Sequence, residues 1–577
     1  MKLSIFAVAI VLLCSAFVWI KIGTGKVVTA QEEALNGLSQ NITVCGSLNN
    51  DEYIPGSITN DFPLLDGWDF HLPISTKSDS AQIYFNQGLV LYYSYHNQEA
   101  KASFKKAQTF DATCAMLFWG EAMCHNKYVF NQKLNQPAIA DSLIKIAQRY
   151  MEEASSFERA LVNAGAILLN NDRVSDEAES GRLKLYESAT EKLYKDFPDN
   201  ADAAGAFIGA VYWNNKRSEE EIKRLFVSML KKFPGHPYLN HLFIHFIESI
   251  EPRLALSSAA NMLERTPGIS HMVHMASHIY VHTGNYQEGV EVNEKARELF
   301  SGYMKLYPAL SEGAGPFAYL AHPLGMELAN AVNMPYYEAA EKIAYAHNRF
   351  ANSLNETRLK RGLKKINPKH LGAQMDASVF DWVRIRYGKW DEIMAENAVP
   401  DSIKFKSYMQ HFAKGMALAR TGRYRESESH LKTIQHLIQD PFFKDKPSFD
   451  TLSTYLRIAI PMLKAVLEEE QGHYKDAEKF YNEAIVFEDA LKYDDPTPWF
   501  IAVRPFLGNS LVRSGDYARA EEIFKADLEI HPDNYWSLRG LMLASQKQKK
   551  KEQSVLIRNK IKNLYTYSGI EPKGAVY

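Results

Sequence analysis

From residue 80 almost to the end of the chain, apolar positions recur at three- and four-residue spacing, the period of a helix that buries one face. Proline is sparse inside these stretches, and no run of alternating apolar and polar residues marks a strand. The helices come in pairs that repeat about every 34 residues. In the first pair Tyr84, Gly88, Leu91, Tyr95, Ala100, Phe104 and Ala107 fall on small and large packing positions. Small residues such as Gly88 and Ala100 let two helices approach closely, and large ones fill the space beside the contact.

That period and that alternation are those of tetratricopeptide (TPR) units. The same spacing returns with Gly284, Tyr286, Gly289 and Ala296, and with Gly388, Trp390 and Ile393. Gly415, Gly422 and Tyr424 follow, then Ala465, Gly472, Tyr474, Ala477, Tyr481 and Ala484. A last unit carries Gly508, Gly515, Tyr517, Ala520, Phe524 and Pro532. Units that start near Gln374 and Tyr408 are one period apart and should stack directly. Register breaks over about 126–180 and 300–372, the second stretch including 311–316 (SEGAGP), and a solenoid tolerates such inserts on one face. The predicted fold is therefore all-α, a solenoid of TPR-like antiparallel helix pairs. Its expected divisions are a leader at 1–30, an extended lead-in at 31–79, an N-terminal solenoid at 80–372, C-terminal repeats at 373–565 and a tail at 566–577. Two lobes separated near 372 are the alternative to one continuous stack.

The N-terminus departs from this pattern. Lys2 precedes eighteen uncharged, mostly apolar residues, 3–20, which read as an export signal. Val28-Thr29-Ala30 offers a small-x-small cleavage site, giving a mature start near Gln31, but the apolar run is also just long enough to tether the chain to a membrane uncleaved. Beyond the leader only Cys45, Cys114 and Cys124 remain, too few for a disulfide-built scaffold. Cys114 and Cys124 are expected on one helix about 15 Å apart, too far to bridge.

Net charge is −2 across 577 residues, and no basic stripe is present, so the electrostatic footprint of a nucleic-acid binder is missing. Lys549-Lys550-Lys551 reads as a solvated connection between helices. No phosphate loop ending in Gly-Lys-Ser/Thr occurs, nor Gly-x-Gly-x-x-Gly, Gly-x-Ser-x-Gly, His-Glu-x-x-His or Cys-x-x-Cys-His. Nucleotide, serine-hydrolase, zincin and c-haem chemistry thus have no support.

The histidines are uneven. Seven of the eighteen lie in the 47 residues from His236 to His282. His241 and His245 are four apart with Glu248 three further on, and His271, His274 and His278 repeat the three-and-four spacing, so each set shares a helix face. Counted from Pro237 and from Ser270, His241 and His274 are both fifth in their units, and His245 and His278 both ninth. Equivalent positions on successive first helices stand side by side, about 8–10 Å apart, and in TPR proteins these two face the concave groove. The packing residues of the same helices, Phe243, Ile244, Ile247, Val273, Ala276, Ser277 and Tyr280, form a different stripe. His241, His245, His274 and His278 are accordingly the metal candidates. Glu248, His271, His282, His322 and His236 are further ligand or groove residues. Imidazole donors suit zinc, iron or copper. The competing reading of the same residues is a hydrogen-bonded or pH-responsive network.

The phrases His236-Pro237-x-x-x-His241-x-x-x-His245-x-x-Glu248 and Gly268-x-x-His271-x-x-His274-Met275-x-Ser277-His278-Ile279-Tyr280 make the chain resemble a largely uncharacterised family of exported bacterial TPR proteins. The stretches Phe70-His71-Leu72-Pro73-Ile74-Ser75-Thr76 and Phe118-Trp119-Gly120-Glu121-Ala122 extend the resemblance, as do Pro498-Trp499 and Trp536-Ser537-Leu538, to about 68–565. Such proteins often carry a third phrase, Pro-His-Asn-x-His. Here Tyr319-Leu320-Ala321-His322-Pro323-Leu324-Gly325-Met326 keeps His322 but has Gly325 where the second histidine would stand. Met326 could replace it only for a soft ion and is expected in the core. Trp119, Glu121, Cys124 and His125 are likewise read as structural.

Two functions fit these residues. One is an extracytoplasmic binding module whose groove holds a protein, a peptide or a small ligand, with the histidines fixing that ligand or an ion. The other is a metalloenzyme, hydrolytic or redox, with Glu248 as ligand or general base.

Overall fold

The computed structural model describes residues 62–126, 136–169, 176–307, 310, 317–360, 371–443, 450–491, 493–565 and 574–577. The leader, Cys45, 311–316 and most of the lead-in and tail lie outside them. Among the described residues the chain is helical throughout, with no strand. It is an all-α solenoid of TPR-like antiparallel helix pairs, each helix packing on the next. The stretches that leave the repeat register are themselves built of helices, Pro137–Arg149, Ser156–Leu169 and Asp176–Asp196 in the first and Tyr337–Lys360 in the second. No described helix is long and apolar enough to cross a membrane.

The packing of a repeat is clearest around Phe104, which is fully buried. A Cβ on Gly88 would lie 2.8 Å from the Phe104 ring, and one on Gly120 only 2.4 Å from it. The ring is thus held between glycines of its own unit and of the next first helix. Phe524 sits in the same way between Gly508 and Gly540, whose Cβ positions fall 2.5 and 2.1 Å from it. Helices Leu371–Arg386 and Lys404–Arg420, one period apart, pack directly. Gln374 Oε1 accepts from the backbone N–H of Phe405 at 2.7 Å.

Residues 62–78, before the first helix Asp79–Tyr93, carry no helix but bury Phe62, Leu65, Leu72 and Ile74. Gln87 anchors them, accepting from Leu65 N–H and donating to the Pro63 carbonyl. Gly67, at φ +76°, meets Gly268, where a Cβ would fall 1.9 Å from the Asp66 carbonyl oxygen. Only glycine at 268 permits that contact, and it seats this segment just ahead of the helix that carries His271.

Cys114 and Cys124 flank helix Ala115–Met123 as buried free thiols. Trp119, Glu121 and His125 are buried beside them, and Met326 is fully buried.

Buried apolar side chains gather in two clusters, one from Phe62 to Tyr319 and one formed mostly by Leu328 to Val576. The second cluster includes Trp499, Ile501 and Val503, in the connection between helices Tyr474–Asp489 and Arg504–Ser514. At its foot Glu488, 14% exposed, accepts from Val503 N–H. Burial pushes the Glu488 carboxyl up to about 7 from 4.5, against the pull of His531. Between those pH values the folded chain keeps a proton that the unfolded chain releases, so stability falls as pH rises from about 4.5 to about 7. Glu488→Gln is expected to remove that loss. Urea titrations should show the variant gaining up to roughly 3 kcal/mol on wild type across the interval.

Candidate metal centre

Three helices bring the histidines together. The first groove helix, Pro237–Ile247, carries His241 and His245 and leads to Glu248 at its C-cap. The second, Ser270–Thr283, carries His271, His274, His278 and His282. The third, His322–Ala331, opens on His322 after a π-turn at Phe317–Ala321. One solenoid step separates the first two helices. The matched ninth residues meet, with the His245 and His278 ring centroids 5.2 Å apart, while His241 turns to His271 at 5.0 Å and His274 to His322 at 4.7 Å.

The four candidates do not form one tetrad. Each pair recruits a further histidine, giving two triads, His241 with His245 and His271, and His274 with His278 and His322. Within each triad one ligand atom per residue lies within 4.8 Å of the others, and His245, Glu248 and His278 form a third such group between them. Nor do they line an open groove. His241, His271, His274 and His278 are as buried as the apolar core, and only His245, His282 and His322 reach partial exposure. The separation of a histidine stripe from the packing stripe fails because His322 and the residues Tyr493, Asp495 and Pro496 pack against the second and third groove helices.

In the His274 triad the Nε2 atoms converge. His278 Nε2 is 3.0 Å from His274 Nε2 and 3.4 Å from His322 Nε2. The other ring nitrogens are fixed. Asn293 donates to the Gly289 carbonyl at 2.7 Å, which turns its Oδ1 toward His274 Nδ1, also at 2.7 Å. That oxygen can only accept, so His274 carries its proton on Nδ1 and presents a lone pair at Nε2. His278 Nδ1 faces Glu248 Oε2 at 2.9 Å and Asp495 Oδ2 at 3.2 Å.

Burial would lower His278, but Glu248 and Asp495 outweigh it and hold the ring up to about 10. Burial would likewise raise Glu248, yet His278 and His245 keep it down at about 2. Asp495 is also held well below the carboxylate range, against burial, by His282 and His278. Burial and the neighbouring His322 push His274 well down, and burial with His278 takes His322 to about 3. With no ion bound, His278 thus stands as an imidazolium between two carboxylates, beside neutral His274 and His322.

Asp495 and Tyr493 were not among the sequence candidates. Asp495 lies 217 residues from His278. It also meets His282 Nε2 at 3.1 Å and accepts from the Tyr493 hydroxyl at 2.9 Å. Gly325 explains how it arrives. A Cβ there would sit 3.0 Å from Pro496 Cγ, so the position where related phrases carry histidine is the one the Asp495 connection packs against. His236 belongs to the scaffold instead. It caps the first groove helix, accepting from Leu239 N–H, and its Nε2 faces Asp202 at 3.3 Å. His96, also unforeseen, stacks on Tyr319 at 4.0 Å beneath His271.

The repeat fold defines the class, a TPR-like solenoid whose interior gathers histidines at metal-ligand spacing. No family model matches the chain, and no curated protein matches it. Among solved structures, human IFIT1 as a dimer with m7Gppp-AAAA is similar over 94% of this chain and 97% of its own, at 13% identity and a TM-score of 0.27. Cut9, in the Cut9–Hcn1 hetero-tetramer of APC/C, is similar over 85% and 82%, at 11% identity and 0.24. Likenesses this distant say nothing about the chamber.

Proposed function

We propose that this chain is an extracytoplasmic TPR-like protein that binds a first-row transition-metal ion through His274, His278 and His322. The observation that carries this reading is the convergence of three Nε2 atoms at 3.0 and 3.4 Å. A tetrahedral ion with bonds of about 2.0–2.1 Å spaces its nitrogens about 3.3–3.4 Å apart. Asn293 on His274, and Glu248 with Asp495 on His278, hold the far side of each ring, as the outer partners of metal-bound imidazoles do. Imidazole donors suit zinc, copper or iron. The apolar run at 3–20 supports export, and the near-neutral charge gives nucleic acid little to bind. The solenoid itself is a fold suited to holding a peptide or protein partner.

The test is elemental analysis of the protein purified with its leader, from its own compartment and without a histidine tag. At least one zinc, copper or iron ion per chain is expected. Protein that carries none, and takes up none of the three when titrated, overturns the reading. N-terminal sequencing of the fractionated protein separates a start near Gln31 from an uncleaved anchor, and full-length protein in the cytosol defeats both.

A second reading rests on the ligand count. Three protein nitrogens leave a fourth position open, as in catalytic rather than structural zinc sites. A histidine-ligated metalloenzyme would use that position for water. Hydrolysis of a chromogenic ester or phosphoester by the zinc-loaded chain, lost in His322→Ala, would support it.

A further inference from the structure

The other triad presents ring nitrogens that no group among the described residues uses. His241 gives its Nδ1 proton to the Tyr93 carbonyl at 2.5 Å, which leaves a lone pair on Nε2. That nitrogen is buried without a hydrogen-bond partner, and so are both ring nitrogens of His271. Burying one unpaired polar nitrogen is costly, and native chains rarely leave several in one place. Here three nitrogens on two neighbouring rings are orphaned at a ring-centroid distance of 5.0 Å. His245, partly exposed, completes the group.

The two triads share a carboxylate. Glu248 Oε1 faces His245 Nδ1 at 3.5 Å, while Oε2 faces His278 Nδ1 at 2.9 Å, one histidine from each triad. His271 and His274 are also adjacent, with ring centroids 5.5 Å apart. Six imidazoles exceed what one tetrahedral ion can take, and they are already divided three and three.

We propose that His241, His245 and His271 form a second transition-metal site beside the first, so that the chamber holds a pair of ions with Glu248 between them. The inference rests on the reading of the His274 triad as a metal site. Its donors are imidazoles, His241 backed by a backbone carbonyl and His245 by Glu248, a set that takes zinc or copper(II).

The test titrates the metal-free full chain with zinc at neutral pH and counts bound ions. Wild type is expected to take two, and His271→Ala one. His322→Ala should also keep one, held at the other triad. Loaded with copper(II), wild type should give an electron paramagnetic resonance spectrum broadened by a neighbouring ion, and His271→Ala a single unbroadened signal. Circular dichroism checks each variant. If His271→Ala does not fold, His245→Gln takes its place, because that ring is partly exposed. A wild type that takes one ion, retained by His271→Ala, overturns the second site and leaves the first standing. Uptake of none defeats both.

Discussion

Replacing His322 by alanine is expected to weaken zinc binding at the His274 triad on the order of 10²–10³-fold with little change in stability. Structural sites of four ligands reach apparent binding energies of about 10–16 kcal/mol, so one ligand accounts for roughly 3–4 kcal/mol. His322 opens its helix and is partly exposed. His278→Gln should lose affinity to the same degree but also unfold more easily, by roughly 3–5 kcal/mol, because Glu248 and Asp495 would stay buried without the imidazolium they share. Competition titration against a zinc indicator, paired with urea unfolding of the metal-free variants, measures both. Equal affinity in wild type and His322→Ala would remove His322 from the site.

Phe104→Ala is expected to cost about 3–5 kcal/mol of stability. Its ring fills the gap between Gly88 and Gly120, and neither glycine has a side chain that could close the cavity. The loss should appear as an early transition of the N-terminal repeats in circular dichroism on heating, since a solenoid is stabilised by neighbour contacts. Phe524→Ala should act in the same way on the C-terminal repeats. A single unshifted transition in Phe104→Ala would show that the Gly–Phe–Gly wedge does not hold the repeats together.

These wedges show which parts of the fold were readable in the chain. Gly88 with Phe104 and Gly508 with Phe524 recur at a fixed spacing, and spacing within a helix pair is local information. The pairing of His245 with His278 was readable for the same reason, since one period maps to one step of the stack. The division into two triads was not. It depends on how far His271 and His322 reach across from their own helix positions, and periodicity does not specify this. Burial of the histidines was missed as well, because a groove position counts as open only while nothing crosses it. Asp495 sits in a connection outside the repeat units, and its histidine partners are more than 200 residues away. Gly325 read as a gap in a histidine phrase, whereas its bare Cα faces Pro496.

The reach of Asp495 also sets an order in time. A chain is synthesised from its N-terminus and its repeats fold as they emerge, so all six triad histidines leave the ribosome before residue 495 does. Until the last repeats close over them, the rings stand on a part-built solenoid with no acidic neighbour beyond Glu248. The chamber is finished late, and an ion captured before that point would be held by an open, incompletely charged pocket. On the proposed reading, an ion would be loaded after synthesis of the whole chain.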